Sequence, residues 1–185
     1  MSKINDKIIS MKNLYIFELS DIFAHQVYLP YSSGVVWSHI KQDPFIKKNY
    51  LLKDWFFARD DAKNIINKIK DPDVLIFSCF MWNWNLNCEI SKEIKKKFPS
   101  CKIYFGGQHQ PLSDRNSGFF KKYPFVDALI HGEGEETVRE LLIEKNIREI
   151  KGITFNDNCN EIRNEPRKRL EGIHDKASPY LDGSF

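Results

Sequence analysis

The sequence predicts an α/β fold, a doubly wound open parallel five-stranded sheet with a small C-terminal β-hairpin and linker. Three observations carry this. Short apolar runs alternate five times with segments of helical periodicity. The most apolar of them, residues 73–79, shows no polar alternation, as expected of a central parallel strand covered by helices on both faces. Glycine-rich or turn residues close the later strands, at Gly106-Gly107 and Gly132-Glu133-Gly134. Right-handed crossovers then place ligands beyond the carboxyl ends of the strands.

The elements follow in order. Residues 13–19 form an apolar, aromatic-rich first strand that ends at Ser20-Asp21. A long loop through His25 leads to Gly34, after which Val35, Val36 and Ile40 mark a helix that ends near Asp43-Pro44. Residues 50–57 read as strand two. Ala62, Ile65, Ile66 and Ile69 share one face of a helix over 60–70, stopped by Asp71-Pro72. Past the central strand, Leu86, Ile90, Ile94 and Phe98 space a helix over 85–98, and residues 101–105 make the next strand. A short helix over 114–123, a strand over 125–131 and a helix over 135–146 complete the alternation. Beyond Ile150 the pattern changes to a hairpin, with runs at 152–155 and 161–162 around Asn156-Asp157-Asn158, and residues 163–185 read as a linker. The organisation expected is therefore a domain over 1–150 and an appendage over 151–185.

Composition excludes several classes. A chain of 185 residues that is 42% hydrophobic and 14% aromatic is long and apolar enough for a packed core. No run approaches the roughly 20 apolar residues that span a bilayer, and Met1 to Lys7 lacks a signal-like stretch, so a cytoplasmic protein without a membrane partner is expected. Cys79, Cys88, Cys101 and Cys159 are scattered singly and read as free thiols. The formal charge is only +3, and Lys95-Lys96-Lys97 and Lys121-Lys122 fall on solvated helix faces, which gives no nucleic-acid surface.

Three loops after strands are the candidate ligand contacts. Residues 78–85, Ser-Cys-Phe-Met-Trp-Asn-Trp-Asn, combine flat rings with amides and a hydroxyl, which suits a large planar ligand with polar substituents. The plain alternative is that Trp82 and Trp84 plug the sheet end. Gly106-Gly107-Gln108-His109 permits positive φ and close backbone approach, although glycine there is also ordinary turn chemistry. His109 has no second histidine or carboxylate at ligand spacing, so it reads as a hydrogen-bonding loop residue. Gly132-Glu133-Gly134-Glu135 opens a helix whose first-turn carboxylates suit the helix dipole and repel phosphate. Neither Gly-x-Gly-x-x-Gly nor the Walker lysine pattern follows any strand, which counts against nicotinamide and nucleoside triphosphate chemistry. Nothing in sequence pairs Glu133, His109 or Cys79 as acid, base or nucleophile, so no catalytic or metal-ligating residue is assigned.

Taken in order, residues 72–83, the run Tyr104-Phe105-Gly106-Gly107-Gln108-His109 and residues 126–135 resemble the cobalamin-binding radical S-adenosylmethionine (SAM) family. Lys151-Gly152-Ile153 and residues 177–185 resemble that family's connector into its radical barrel. The resemblance implies a Rossmann-like, flavodoxin-like cobalamin-binding domain, the amino-terminal part of such an enzyme. It implies a corrinoid on the carboxyl edge of the sheet, flanked by Ser78, Cys79, Trp82, Asn83, Gly106, Gly107, Gln108, His109, Gly132, Glu133 and Gly134. Two departures qualify it. Asp21 and His25 stand four apart with no glycine following, so the Asp-x-His-x-x-Gly pattern that gives cobalt a histidine is absent. The Cys-x-x-x-Cys-x-x-Cys triplet is also absent, so the resemblance assigns the iron–sulfur cluster and SAM to a barrel missing from this sequence, in cis or in trans, and gives the chain no catalysis by itself. The competing reading is a cofactor-free interaction or regulatory domain on the same fold.

Overall fold

The computed structural model describes residues 10–110, 118–169 and 177–185. The opening segment Met1 to Lys7, the first part of the helix expected over 114–123 and part of the expected linker lie outside the described residues. Five strands form a parallel sheet: β1 (Lys12–Ser20), β2 (Tyr50–Ala58), β3 (Val74–Ser78), β4 (Lys102–Gly106) and β5 (Ala128–Ile130). Two more, β6 (Ile153–Asp157) and β7 (Asn160–Arg163), add antiparallel on the β5 edge, giving the order β2-β1-β3-β4-β5-β6-β7. The expected hairpin thus continues the sheet. Asn158 and Cys159 at its turn both take positive φ, the conformation that matches a two-residue hairpin to strand twist.

The period of two along each strand sorts side chains to two helical layers. Tyr15, Phe17, Leu75, Phe77, Ile103 and Phe105 face α3 (Ala62–Lys68), α4 (Trp84–Lys97) and α5 (Phe119–Lys122). Leu14, Ile16, Val74, Ile76, Tyr104 and Ile130 face the other way, toward α1 (Tyr31–Ile40), α2 (Pro44–Asn49) and α6 (Glu135–Leu142). Every residue from Val74 to Phe77 is buried, as the unalternating run predicts.

Local chemistry sets several boundaries. Pro44 ends no helix but begins one: the Asp43 carboxylate accepts from the N–H groups of Phe45 and Ile46, and proline fits a first-turn position whose N–H has no intrahelical partner. The helix expected over 135–146 stops at Leu142, and a 3₁₀ turn, Ile147–Glu149, follows. Residues 177–185 do not trail away as the expected linker. Pro179 is buried, Phe185 lies against Trp55 with ring centroids 5.5 Å apart, and the Lys41 ammonium reaches Asp182 and Ser184. Among the described residues no helix is long and apolar enough to cross a membrane.

Candidate functional site

A cleft of about 740 Å³ opens at the carboxyl edge of the parallel strands on the α1 and α6 side. Its floor is apolar, from Ile16, Ile76 and Ile130 on the strands and Val35, Val36 and Val138 on the helices. Its rim is the backbone of the loops after β3, β4 and β5, with the first turn of α1 on one side, Arg163 at the end of β7 and Arg169 on the segment that follows.

Seven of the residues singled out in sequence meet here: Ser78, Gly106, Gly107, Gln108, Gly132, Glu133 and Gly134. Gly107 is forced. The ladder between β3 and β4 runs on past the strand ends, with Cys79 N–H donating to the Gly106 carbonyl at 2.7 Å and His109 N–H to the Cys79 carbonyl at 3.0 Å. That zipper leaves a Cβ on Gly107 only 2.6 Å from the Cys79 carbonyl oxygen, and its φ of +93° favours glycine independently. Gly132 has φ +70° with open space where a Cβ would stand. Gln110, unremarked in the sequence, hydrogen-bonds through its amide nitrogen to the Gly107 and Ile130 carbonyls, and its buried Oε1 has no partner among the described residues.

The other four do not line the cleft. Cys79 is wholly buried on the opposite face, beside the Asn87 amide, and burial pushes its thiol up, away from any thiolate role. His109 turns to the same side, with its ring 5.3 Å from Trp84 in an edge contact. Trp82 stacks on Phe80 with centroids 4.7 Å apart, so that only Phe80 of the pair reaches the cleft. Asn83 is 1% exposed and fully engaged: its Oδ1 accepts from Phe80 N–H and the Asn87 amide, and its Nδ2 donates to the Leu19 and Ser78 carbonyls. Trp84 is ringed by Phe105, Phe119, Tyr123 and His109, which is the plug that the plain reading offered.

Sequence reasoning missed the α1 wall. Glu18 continues the Leu14–Ile16 row and is buried, and its carboxylate accepts from the N–H groups of Ser33 at 2.6 Å and Ser32 at 3.3 Å. Pro30 at the N-cap provides no capping side chain, so a strand carboxylate does the capping across space. Burial raises the Glu18 pKa against the lowering effect of those hydrogen bonds. Ser33 Oγ also accepts from Trp55 Nε1 at 3.0 Å. A glutamate at the end of an otherwise apolar strand was the available signal. His131, also in the cleft wall, lies 2.8 Å from Thr154 Oγ1 through Nε2; burial lowers its pKa and the Arg163 charge adds to that. No cluster of three or more metal-ligating side chains occurs among the described residues.

The sheet order, the two helical layers and a cleft at the strand carboxyl ends define a Rossmann-like α/β domain with a ligand-type edge. No protein-family model matches the chain. It is 33% identical over 161 residues to 2-(S-pantetheinyl)-carbapenam-3-carboxylate methyltransferase of Streptantibioticus cattleyicolor. It is 32% identical over 161 residues to the cobalamin-dependent radical SAM methyltransferase TokK of Streptomyces tokunonensis. Each match covers 84% of this chain and 23% of the relative. The chain is thus a homologue of one segment of the cobalamin-dependent radical SAM methyltransferases and spans about a quarter of the length of these relatives. In fold it matches the radical SAM methyltransferase TsrM of Kitasatospora setae, solved with cobalamin and a [4Fe-4S] cluster bound, at a TM-score of 0.61 and 13% identity over 91% of this chain and 31% of that one.

Proposed function

We propose that the chain is a corrinoid-binding module that holds cobalamin at the carboxyl edge of its sheet and presents it to a radical SAM barrel, in cis or in trans. The observation that carries this is the cleft: an apolar slot beneath a rim of open glycine backbone, lined by all three loops that the sequence singled out. The donor set suits the group. A corrinoid brings a broad apolar face and a fringe of amides, and the cleft offers six aliphatic side chains below and the Gln108 and Gln110 amides above, one with an oxygen unmatched among the described residues. Cobalamin, when bound, supplies a cobalt centre able to carry a methyl group.

In this reading Gly106, Gly107, Gly132 and Gly134 let the ligand approach the backbone. Ser78, Gln108 and Glu133 meet its polar fringe, while Phe80, backed by Trp82, closes the β3 side. Cys79, Asn83 and His109 serve by holding the loops in place. Among the described residues, those before 151 supply every lining side chain but Arg163 and Arg169, while β6, β7 and residues 177–185 act as edge, cover and connector. No imidazole is assigned to cobalt, since His131 is already engaged with Thr154.

The test is to mix the purified protein with hydroxocobalamin. A shifted visible spectrum and colour retained through desalting are expected, and Val36→Trp, which fills the slot from α1, should lose both. No shift and no retained colour with the unaltered protein would overturn the reading in favour of a cofactor-free interaction domain.

A further inference from the structure

The α1 wall is held from outside the cleft as well as from within. Residues 177–185 fold over the outer side of α1, and helix and strap fit closely. Gly34 lies against the strap: a Cβ there would stand 2.6 Å from the Phe185 ring and 3.1 Å from Pro179. Ser38, wholly buried, places Oγ 3.4 Å from Ser184 Oγ. Lys41 Nζ lies 3.0 Å from an Asp182 carboxylate oxygen, and donates to the Asp182 carbonyl at 3.1 Å and to Ser184 Oγ at 2.8 Å. The strap is also ordered internally, with Asp182 N–H donating to the Ser178 carbonyl and Phe185 N–H to the Pro179 carbonyl.

The strap touches what shapes the cleft. Tyr180 stacks on Tyr31, with centroids 6.2 Å apart, and Tyr31 is itself a lining residue. Phe185 packs on Trp55, whose indole N–H donates to Ser33 Oγ, and Ser33 is another lining residue held by Glu18. Two chains of contact therefore run from the strap into the first turn of α1, one through Tyr31 and one through Trp55.

We propose that residues 177–185 are a positioning strap, in which Phe185 and Asp182, seated on α1, fix the cleft wall at Tyr31 to Ser33, so that corrinoid binding and strap seating strengthen one another. The proposal rests on the corrinoid reading above. Coupling of this kind is reciprocal: whatever the strap adds to ligand affinity, the ligand adds to strap seating.

The experiment uses the whole chain with hydroxocobalamin as probe. Chymotrypsin cleavage beside the exposed Tyr180 and Leu181 reads the strap, and Trp55 fluorescence reads the packing of Phe185. In the unaltered protein, hydroxocobalamin should slow cleavage. Gly34→Ala puts a methyl where the Phe185 ring edge lies while favouring the helix, so it should free the strap without lowering the melting temperature. Phe185→Ala should free it by deletion. Both strap-freeing variants should bind hydroxocobalamin about tenfold more weakly than the unaltered protein, a typical coupling between sites.

Strap release in both variants with affinity within about twofold of the unaltered protein, below the usual range of such couplings, would overturn the inference and leave the corrinoid reading intact. Variants whose straps stay resistant to cleavage would also count against it, because the named contacts would then not be what seats the strap. Failure of the unaltered protein to bind hydroxocobalamin would remove the corrinoid reading and this inference together.

Discussion

The loop after β3 and the loops after β4 and β5 occupy the same edge of one sheet and do opposite things. The first is rich in functional groups and directs them inward. Asn83 satisfies two carbonyls, one backbone N–H and the Asn87 amide; Trp84 is enclosed by rings; Cys79 is buried. The other two, opened by Gly107, Gly132 and Gly134, give the cleft most of its rim, as backbone together with Gln108 and Glu133. The difference has a physical origin. A crossover after a central strand leaves main-chain groups with no partner inside the structure, and nearby amides are recruited to them because an unsatisfied buried group costs more than the bond gains. A glycine has no side chain to turn inward, so Gly106, Gly107, Gly132 and Gly134 leave backbone at the cleft surface.

Breaking the inward loop should have the largest effect. Asn83→Ala leaves the Leu19 and Ser78 carbonyls and the Phe80 N–H without their partner, and a loss of about 3 kcal/mol in unfolding free energy is expected, read by urea denaturation. Gly107→Ala follows, at about 2 kcal/mol, because positive φ and the Cys79 main chain oppose the methyl together. Gly132→Ala meets positive φ alone and should lose about 1 kcal/mol. An equal loss in the two glycine variants would show that the β3–β4 zipper does not constrain Gly107.

The smallest effect concerns pH. His131 has a lowered folded-state pKa, so below the ordinary histidine value near 6.5 the unfolded chain takes up a proton that the native state resists. Stability should therefore fall as pH drops through and below that value, and be flat in this respect above it. Glu18, whose pKa is raised, works the other way, since acid relieves the cost of burying its charge. Comparing the unaltered protein with His131→Asn at pH 7.5 and 5.5 isolates the histidine: the variant should lose less stability on acidification, and an identical loss would contradict the assignment.

The fold was legible where one rule dominates. The run Val74 to Phe77 is buried on both faces of the sheet, and the row Leu86, Ile90, Ile94 lies on the inner face of α4, because burial on those faces leaves few residue types acceptable. The loops were legible as loops, and three stretches of sequence led to one cleft. Which atoms of Ser78 to Asn83 face a ligand was not legible, because it turns on where the Leu19 carbonyl lies, a contact 64 residues distant. The α1 wall escaped for a similar reason: Glu18 and Ser33 look unremarkable until strand and helix are brought together. Residues 177–185 read as a linker because proline and glycine content describes a backbone and not a destination. Gly34 is what makes the seat, and nothing local to residue 185 announces it.

The antiparallel pair at the end of the sheet bears on how copies of this molecule behave when crowded. A parallel sheet ending at a three-residue strand would present an open border onto which a neighbour's backbone could add. Here that border is taken by β6, and the new outer strand β7 is four residues long with Glu161 and Arg163 on it. On the far border, two register shifts between β1 and β2, together with exposed Lys53 and Asp54, spoil the flat template that fibre growth requires. Both borders are therefore poor starting points for aggregation, which favours a molecule that stays dispersed at high concentration.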